Sequence, residues 1–175
     1  MKKYLLSKPQ EEKCILFIIP FLFVIGSFFH FAYDFTGRNT IIGFFTPINE
    51  SIWEHMKLTL TPMLLWWIFY YLLKHKKYSI DKNRWFNAGF FAVITGLISV
   101  PFLYYFYTNA FGFESLVIDI LILLFSILLG QIFGYHIYRY SKGINYLIPL
   151  LLCTIIVIIV IIFTVSHPDF PIFKS

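Results

Sequence analysis

Five stretches of this chain are long and apolar enough to cross a lipid bilayer, at roughly residues 14–34, 50–73, 85–107, 115–138 and 145–165. A hydrocarbon core of about 30 Å is crossed by about 20 helical residues, and inside it only helices and closed barrels satisfy their own backbone. Continuous runs of this length predict helices rather than strands. The expected fold is an all-α integral membrane bundle of five transmembrane helices, forming one domain over residues 1–175. Composition agrees, because 13% of the residues are charged and 59% are hydrophobic, against about 25% charged in a soluble domain. The start Met1-Lys2-Lys3 resembles that of a signal peptide. The apolar run begins only near Cys14, however, and has no small-x-small cleavage pattern, so it reads as a retained first span.

The formal charge of +5 does not point to nucleic acid, since the basic residues sit mostly in the short segments between spans. Lys2, Lys3, Lys8 and Lys13 precede the first span, Lys74, Lys76, Lys77, Lys82 and Arg84 lie between the second and third, and Arg139 and Lys142 follow the fourth. Five alternating spans place all three groups on one side, which the positive-inside rule makes cytoplasmic. The N-terminus is therefore expected inside and the C-terminus outside. Cys14 and Cys153 are expected at different depths, which suggests neither a disulfide framework nor a thiolate metal site.

Pro20, Pro62, Pro101 and Pro149 fall within four of the spans, where membrane helices accommodate proline as a kink. Gly130 and Gly134 form a GxxxG on span four, a spacing that permits close helix approach within the monomer or across a homodimer.

An ionisable side chain in a membrane helix costs at least ~2.5 kcal/mol at mid-depth, so each one calls for a reason. His30 and Asp34 share a helical face at the outer end of span one. Span two opens with the densest polar run of the chain, Asn49-Glu50-Ser51-Ile52-Trp53-Glu54-His55-Met56-Lys57. Thr46 with Pro47, or Asn49, reads as the helix cap, and Glu50 suits the positive end of a helix dipole. Glu50, Trp53, Glu54 and Lys57 then fall on one face, Ser51 and His55 on the next, and a carboxylate pairing with Lys57 offsets the cost of burying it. Asp119 reaches the same depth on span four, after Glu114 in the preceding loop. Tyr104, Tyr105 and Tyr107 read as an interfacial belt. His136 belongs to the inner interface, about 25 Å of helix away from Asp119.

The string from Asn49 to Lys57, Asn-Glu-Ser-x-Trp-Glu-His-x-Lys, resembles the signature of an uncharacterised family of small bacterial multispanning membrane proteins. The resemblance implies a bacterial plasma-membrane location and special importance for Glu50, Trp53, Glu54, His55 and Lys57. It implies no activity.

Three functions fit this pattern. In the first, a metal-dependent hydrolase acts on a lipid or peptide at the outer leaflet. His30, Asp34, His55 and Asp119 are its candidate ligands for Zn²⁺, Glu50 and Glu54 its catalytic carboxylates, and Trp53 and Lys57 further binding residues. Glu54 and His55 are adjacent on a helix and point about 100° apart, so both cannot easily face one ion. In the second, a small transporter or ligand-binding subunit uses the acidic cavity for a cation, a proton or an amine. In the third, an accessory partner of a membrane complex uses Trp66, Trp67 and its Phe-rich surfaces as interfaces. Gly-rich phosphate loops, GxSxG elbows and nucleotide fingerprints are absent from the sequence.

Overall fold

The computed structural model describes residues 10–174, and every regular element among them is helical. The chain opens with α1 (Gln10–Phe17) and α2 (Ile19–Phe35), which meet at a 40° bend. Pro20 accounts for the bend, because it has no N–H for the Leu16 carbonyl and its ring crowds the preceding turn. A connecting segment carries the single turn α3 (Thr40–Gly43) and leads to α4 (Ile52–His55) and α5 (Lys57–Tyr78), one path interrupted at Met56. There follow α6 (Lys82–Phe111), α7 (Leu116–Tyr140), α8 (Leu147–Ser166) and a 3₁₀ turn at Pro171–Phe173. Four paths, α4 with α5, α6, α7 and α8, are each long and apolar enough to cross a membrane, and the bent α1–α2 pair makes a fifth when counted as one span.

The second helix starts later than the sequence suggested. Its N-cap is Ser51, whose hydroxyl accepts from the Glu54 N–H at 3.3 Å, while the Asn49 side chain accepts from the Ser51 N–H at 3.0 Å and locks the entering turn. Thr46, Pro47 and Glu50 thus precede the helix.

Packing is closest where side chains vanish. A Cβ on Gly130 would lie 2.5 Å from the Ala92 carbonyl oxygen, and one on Gly134 would lie 2.7 Å from the Ala92 methyl. The GxxxG stripe is therefore the α6–α7 seam of a single chain. Its face is filled by Ala88, Ala92 and Gly96, so the homodimer contact considered at Gly130 and Gly134 has no open surface there. Between α5 and α2 proline and glycine cooperate. Pro62 cannot donate to the Leu58 carbonyl, and α2 approaches that freed oxygen so closely at Gly26 that a Cβ there would lie 2.7 Å from it.

Trp67 and Trp85 fill the bundle toward its other end, with ring centroids 4.5 Å apart. Each indole N–H is used, Trp85 donating to the Trp67 carbonyl at 2.7 Å and Trp67 to the Gln131 side-chain oxygen at 3.1 Å. Trp67 is thus core rather than the interface considered from the sequence. Around this end the Arg84 Nε donates to the Tyr138 carbonyl at 3.1 Å, the Asn83 side chain accepts from the Tyr146 N–H at 3.1 Å, and Glu12 lies 3.5 Å from Arg139. The basic segments 74–84 and 139–144 therefore share one end of the bundle with α1. Lys2, Lys3 and Lys8 lie outside the described residues.

Candidate functional site

At the opposite end the chain enters α4 through a buried knot. Glu54 and Lys57, 1% and 0% exposed at the side chain, form an ion pair at 2.6 Å. The Lys57 ammonium also donates to the carbonyls of Gly43 at 2.8 Å and Thr46 at 3.3 Å. The Glu54 carboxylate accepts from the Ile48 N–H at 3.0 Å and from the Thr164 hydroxyl of α8 at 3.0 Å. A buried charge pair is tolerated when its remaining donors and acceptors are satisfied, and here a lysine with three protons finds three acceptors. The knot ties the 40–51 segment and α8 to the first turn of α4. Trp53 reinforces it from the other flank, against Phe163 of α8 at 5.3 Å and Phe173 of the C-terminal 3₁₀ turn at 4.9 Å between centroids.

With the Glu54 face committed inward, the next residue must point elsewhere, and His55 turns toward α2. Its Nδ1 lies 2.9 Å from the Ser51 carbonyl. A carbonyl only accepts, so Nδ1 carries the proton and Nε2 presents a lone pair. His30 of α2 brings its own Nε2 to 3.2 Å from that atom. Glu50, held outside the helix by the Asn49–Ser51 turn, places one carboxylate oxygen 3.5 Å from His30 Nε2 and 3.4 Å from His55 Nε2.

These three atoms form a nearly equilateral triangle. Two ligands each about 2.05 Å from a tetrahedral Zn²⁺ lie about 3.3 Å apart, and the three observed separations bracket that value. Among the described residues this is a His/Cys/Asp/Glu group able to converge on a single ion. The His30 Nδ1 is buried without a hydrogen-bond partner, so only the His55 ligand is oriented by a second bond.

The triangle sits on the wall of a cavity of about 480 Å³ bounded by α2, α4, α5, α6 and α7. Asp119 and Glu114 line the same cavity, each aimed by a tyrosine. The Tyr107 hydroxyl donates to Asp119 at 2.7 Å, and the Tyr104 hydroxyl donates to Glu114 at 3.0 Å. The floor of the cavity is apolar, made by Leu58, Val100, Ile122 and Leu123. Phe31 on α2 and Leu116 and Ile120 on α7 line the cavity and are also among the exposed large apolar residues.

Of the residues singled out from the sequence, His30, His55 and Glu50 are brought together, with Glu50 in the position of a ligand. Asp119 lines the same cavity. Asp34 does not join them, lying exposed and bonded to Arg38 Nε at 3.2 Å. Glu54 and Lys57 are sealed in the knot, and Trp53 packs in the aromatic cluster beside it. His136 is exposed near the C-terminal end of α7, 4.7 Å from Tyr140 between ring centroids. The roles of Ser51, Tyr104 and Tyr107 escaped the sequence reading, which placed Ser51 beside His55 on a helix face and the tyrosines in an interfacial belt. Two tyrosines at the end of a membrane helix look like an interfacial belt, and only the fold shows them holding carboxylates.

The chain belongs to the family described as a family of unknown function, DUF6512, whose model matches residues 1–175. No curated protein and no solved structure matches it.

Proposed function

Starting from a family that carries no assigned activity, we propose that this protein is a metal-dependent membrane hydrolase in which His30, His55 and Glu50 hold Zn²⁺ and the adjoining cavity receives the substrate. The observation that carries this reading is the triangle of ligand atoms with 3.2, 3.4 and 3.5 Å edges. A Zn²⁺ held by three protein ligands would keep room for a water, whose acidity it would bring near neutrality. Held by His30, His55 and Glu50, the ion would supply an activated water and a Lewis acid for hydrolysis of an ester or amide, with a carboxylate and an alcohol or amine as products. Asp119 and Glu114 line the same cavity.

The same reading includes five spans in a bacterial plasma membrane, the N-terminus in the cytoplasm and the site at the outer leaflet. Its support is the gathering of basic segments at the end of the bundle opposite the triangle. A transport role draws less support, because the half of the bundle beyond the cavity is filled by Met63, Trp67, Trp85 and Gln131, all buried.

The deciding experiment is metal analysis of the protein purified without chelator. About one Zn²⁺ per chain is expected, falling to near zero in His30→Ala, His55→Ala and their double variant, and unchanged in Asp34→Ala. A protein that neither retains Zn²⁺ nor takes it up on addition overturns the proposal.

A further inference from the structure

The cavity's two halves differ in chemistry, and the difference selects a ligand. The polar half carries Glu50, Glu114 and Asp119 with His30 and His55, and among the described residues no Lys or Arg lines it. Lys57 and Arg38, on the segments leading into and out of this end of the bundle, are engaged with other carboxylates. Lys57 is sealed with Glu54 at 0% side-chain exposure, and Arg38 is bonded to Asp34. Even with a Zn²⁺ at Glu50 the wall formed by Glu114 and Asp119 remains anionic. Each of these two carboxylates has one oxygen fixed by a tyrosine hydroxyl, which orients the group at little further entropic cost when a second donor arrives.

The apolar half lies immediately below. Leu123 is one turn from Asp119 along α7, about 6 Å of helix, and it forms the floor with Leu58, Val100 and Ile122. The helices α2, α5 and α7 are pinned together at Gly26, whose missing Cβ faces the Leu58 carbonyl and Leu123. Above that contact both helices line the cavity, with Phe31 on α2 and Leu116 and Ile120 on α7, all three exposed on segments apolar enough to cross a membrane. A ligand with an alkyl chain can therefore enter from within the membrane, whereas a fully water-soluble one meets an apolar floor.

We propose that the cavity takes a membrane-borne amphiphile with a cationic, amine-type headgroup, which enters between α2 and α7, sets its cation against Asp119 and Glu114, and lays its chain on the Leu58–Leu123 floor. This names the substrate class of the hydrolase reading and rests on the cavity being its substrate site. An anionic headgroup is excluded by repulsion from the carboxylate wall, and a neutral one gains the floor without the charge-assisted bonds.

Binding is measured without chemistry or metal, so that this inference and the metal reading fail separately. The full-length protein in phosphatidylcholine nanodiscs, with chelator present, is irradiated with three twelve-carbon amphiphiles carrying a diazirine in the chain and an ammonium, hydroxyl or carboxylate head. Adducts are mapped by mass spectrometry. The ammonium probe is expected to label the floor residues about tenfold more than the hydroxyl probe, the increment of one charge-assisted bond, and the carboxylate probe least. In Asp119→Asn/Glu114→Gln the ammonium advantage falls to the hydroxyl level. In Asp119→Asn/Glu114→Lys the ammonium advantage is lost and labelling by the carboxylate probe rises, a gain that misfolding cannot mimic. Equal labelling by all three heads, or an ammonium preference unchanged in both variants, overturns the inference while leaving any Zn²⁺ result standing.

Discussion

Each residue of the Asn49–Lys57 string has a separate task, and the tasks divide between holding the site and being the site. Asn49 and Ser51 shape the turn, Glu54 and Lys57 bury a charge pair, Trp53 packs the flank, and Glu50 and His55 face the cavity. The division predicts distinct phenotypes. Removing one partner of the buried pair strands the other charge, so Glu54→Gln or Lys57→Met alone is expected to cost about 3–5 kcal/mol. The double variant recovers a large part of that loss, because no uncompensated charge remains. Denaturant unfolding of all four proteins in one detergent forms the cycle that checks this, and strictly additive losses count against the knot. Ser51→Ala behaves differently. It removes a cap worth about 1 kcal/mol but leaves the Ser51 carbonyl that orients His55. Its Zn²⁺ affinity is expected to stay within about twofold of the parent, measured by competition with a zinc-binding dye, since the carbonyl that accepts from His55 Nδ1 is retained.

At the scale of elements, the sequence was legible where hydropathy and proline act locally and illegible where backbone meets backbone. All five apolar runs became helices, and Pro20 became the bend between α1 and α2, while Pro62 and Pro101 lie inside the continuous helices α5 and α6. The segment from Thr40 to Ser51 could not be read in the same way. It folds back over the first turn of α4 because Lys57 needs carbonyl acceptors, and carbonyls carry no sequence signature. That fold-back decides which carboxylate reaches the histidines. With the helix starting at Ile52, Glu50 is freed from the helical spacing that grouped it with Glu54, while Asp34 is left at the surface with Arg38. Contacts at glycine were half legible. The stripe at Gly130 and Gly134 announced a close approach but not its partner, and Gly26 announced nothing until the Pro62-freed carbonyl of Leu58 was seen against it. Gly26→Ala is expected to push α2 away from α5, because its Cβ would meet a backbone oxygen at 2.7 Å, which cannot rotate aside. Destabilisation of about 1–3 kcal/mol should follow. His30 rides on the same helix one turn above, so Zn²⁺ affinity should fall with it. A fully retained affinity in the folded variant would show that α2 is not the element that positions His30.

For the whole molecule the open question is direction, and it bears on chemistry as well as on topology. The Arg84–Tyr138 and Asn83–Tyr146 contacts put the basic segments 74–84 and 139–144 at one end, while the histidine triangle, Asp119 and Thr164 lie at the other. If the positive-inside rule governs this chain, the basic end is cytoplasmic and the cavity opens toward the outer leaflet. Cysteine accessibility decides it. In a background of Cys14→Ser and Cys153→Ala, single cysteines at the exposed positions Lys77, Lys142 and Phe113 report on both ends. In intact bacterial cells a membrane-impermeant maleimide is expected to label Phe113→Cys at once, and Lys77→Cys and Lys142→Cys only after permeabilisation. The opposite pattern would leave the geometry of the site intact but move its substrate to the cytoplasmic leaflet, where the ligand for a cation-selective cavity would have to be drawn from a different pool of amphiphiles. Labelling of Lys77→Cys and Phe113→Cys from the same side would be a deeper failure, because the two positions bracket α6, whose 30 residues extend about 45 Å at 1.5 Å each and so exceed the thickness of the hydrocarbon core.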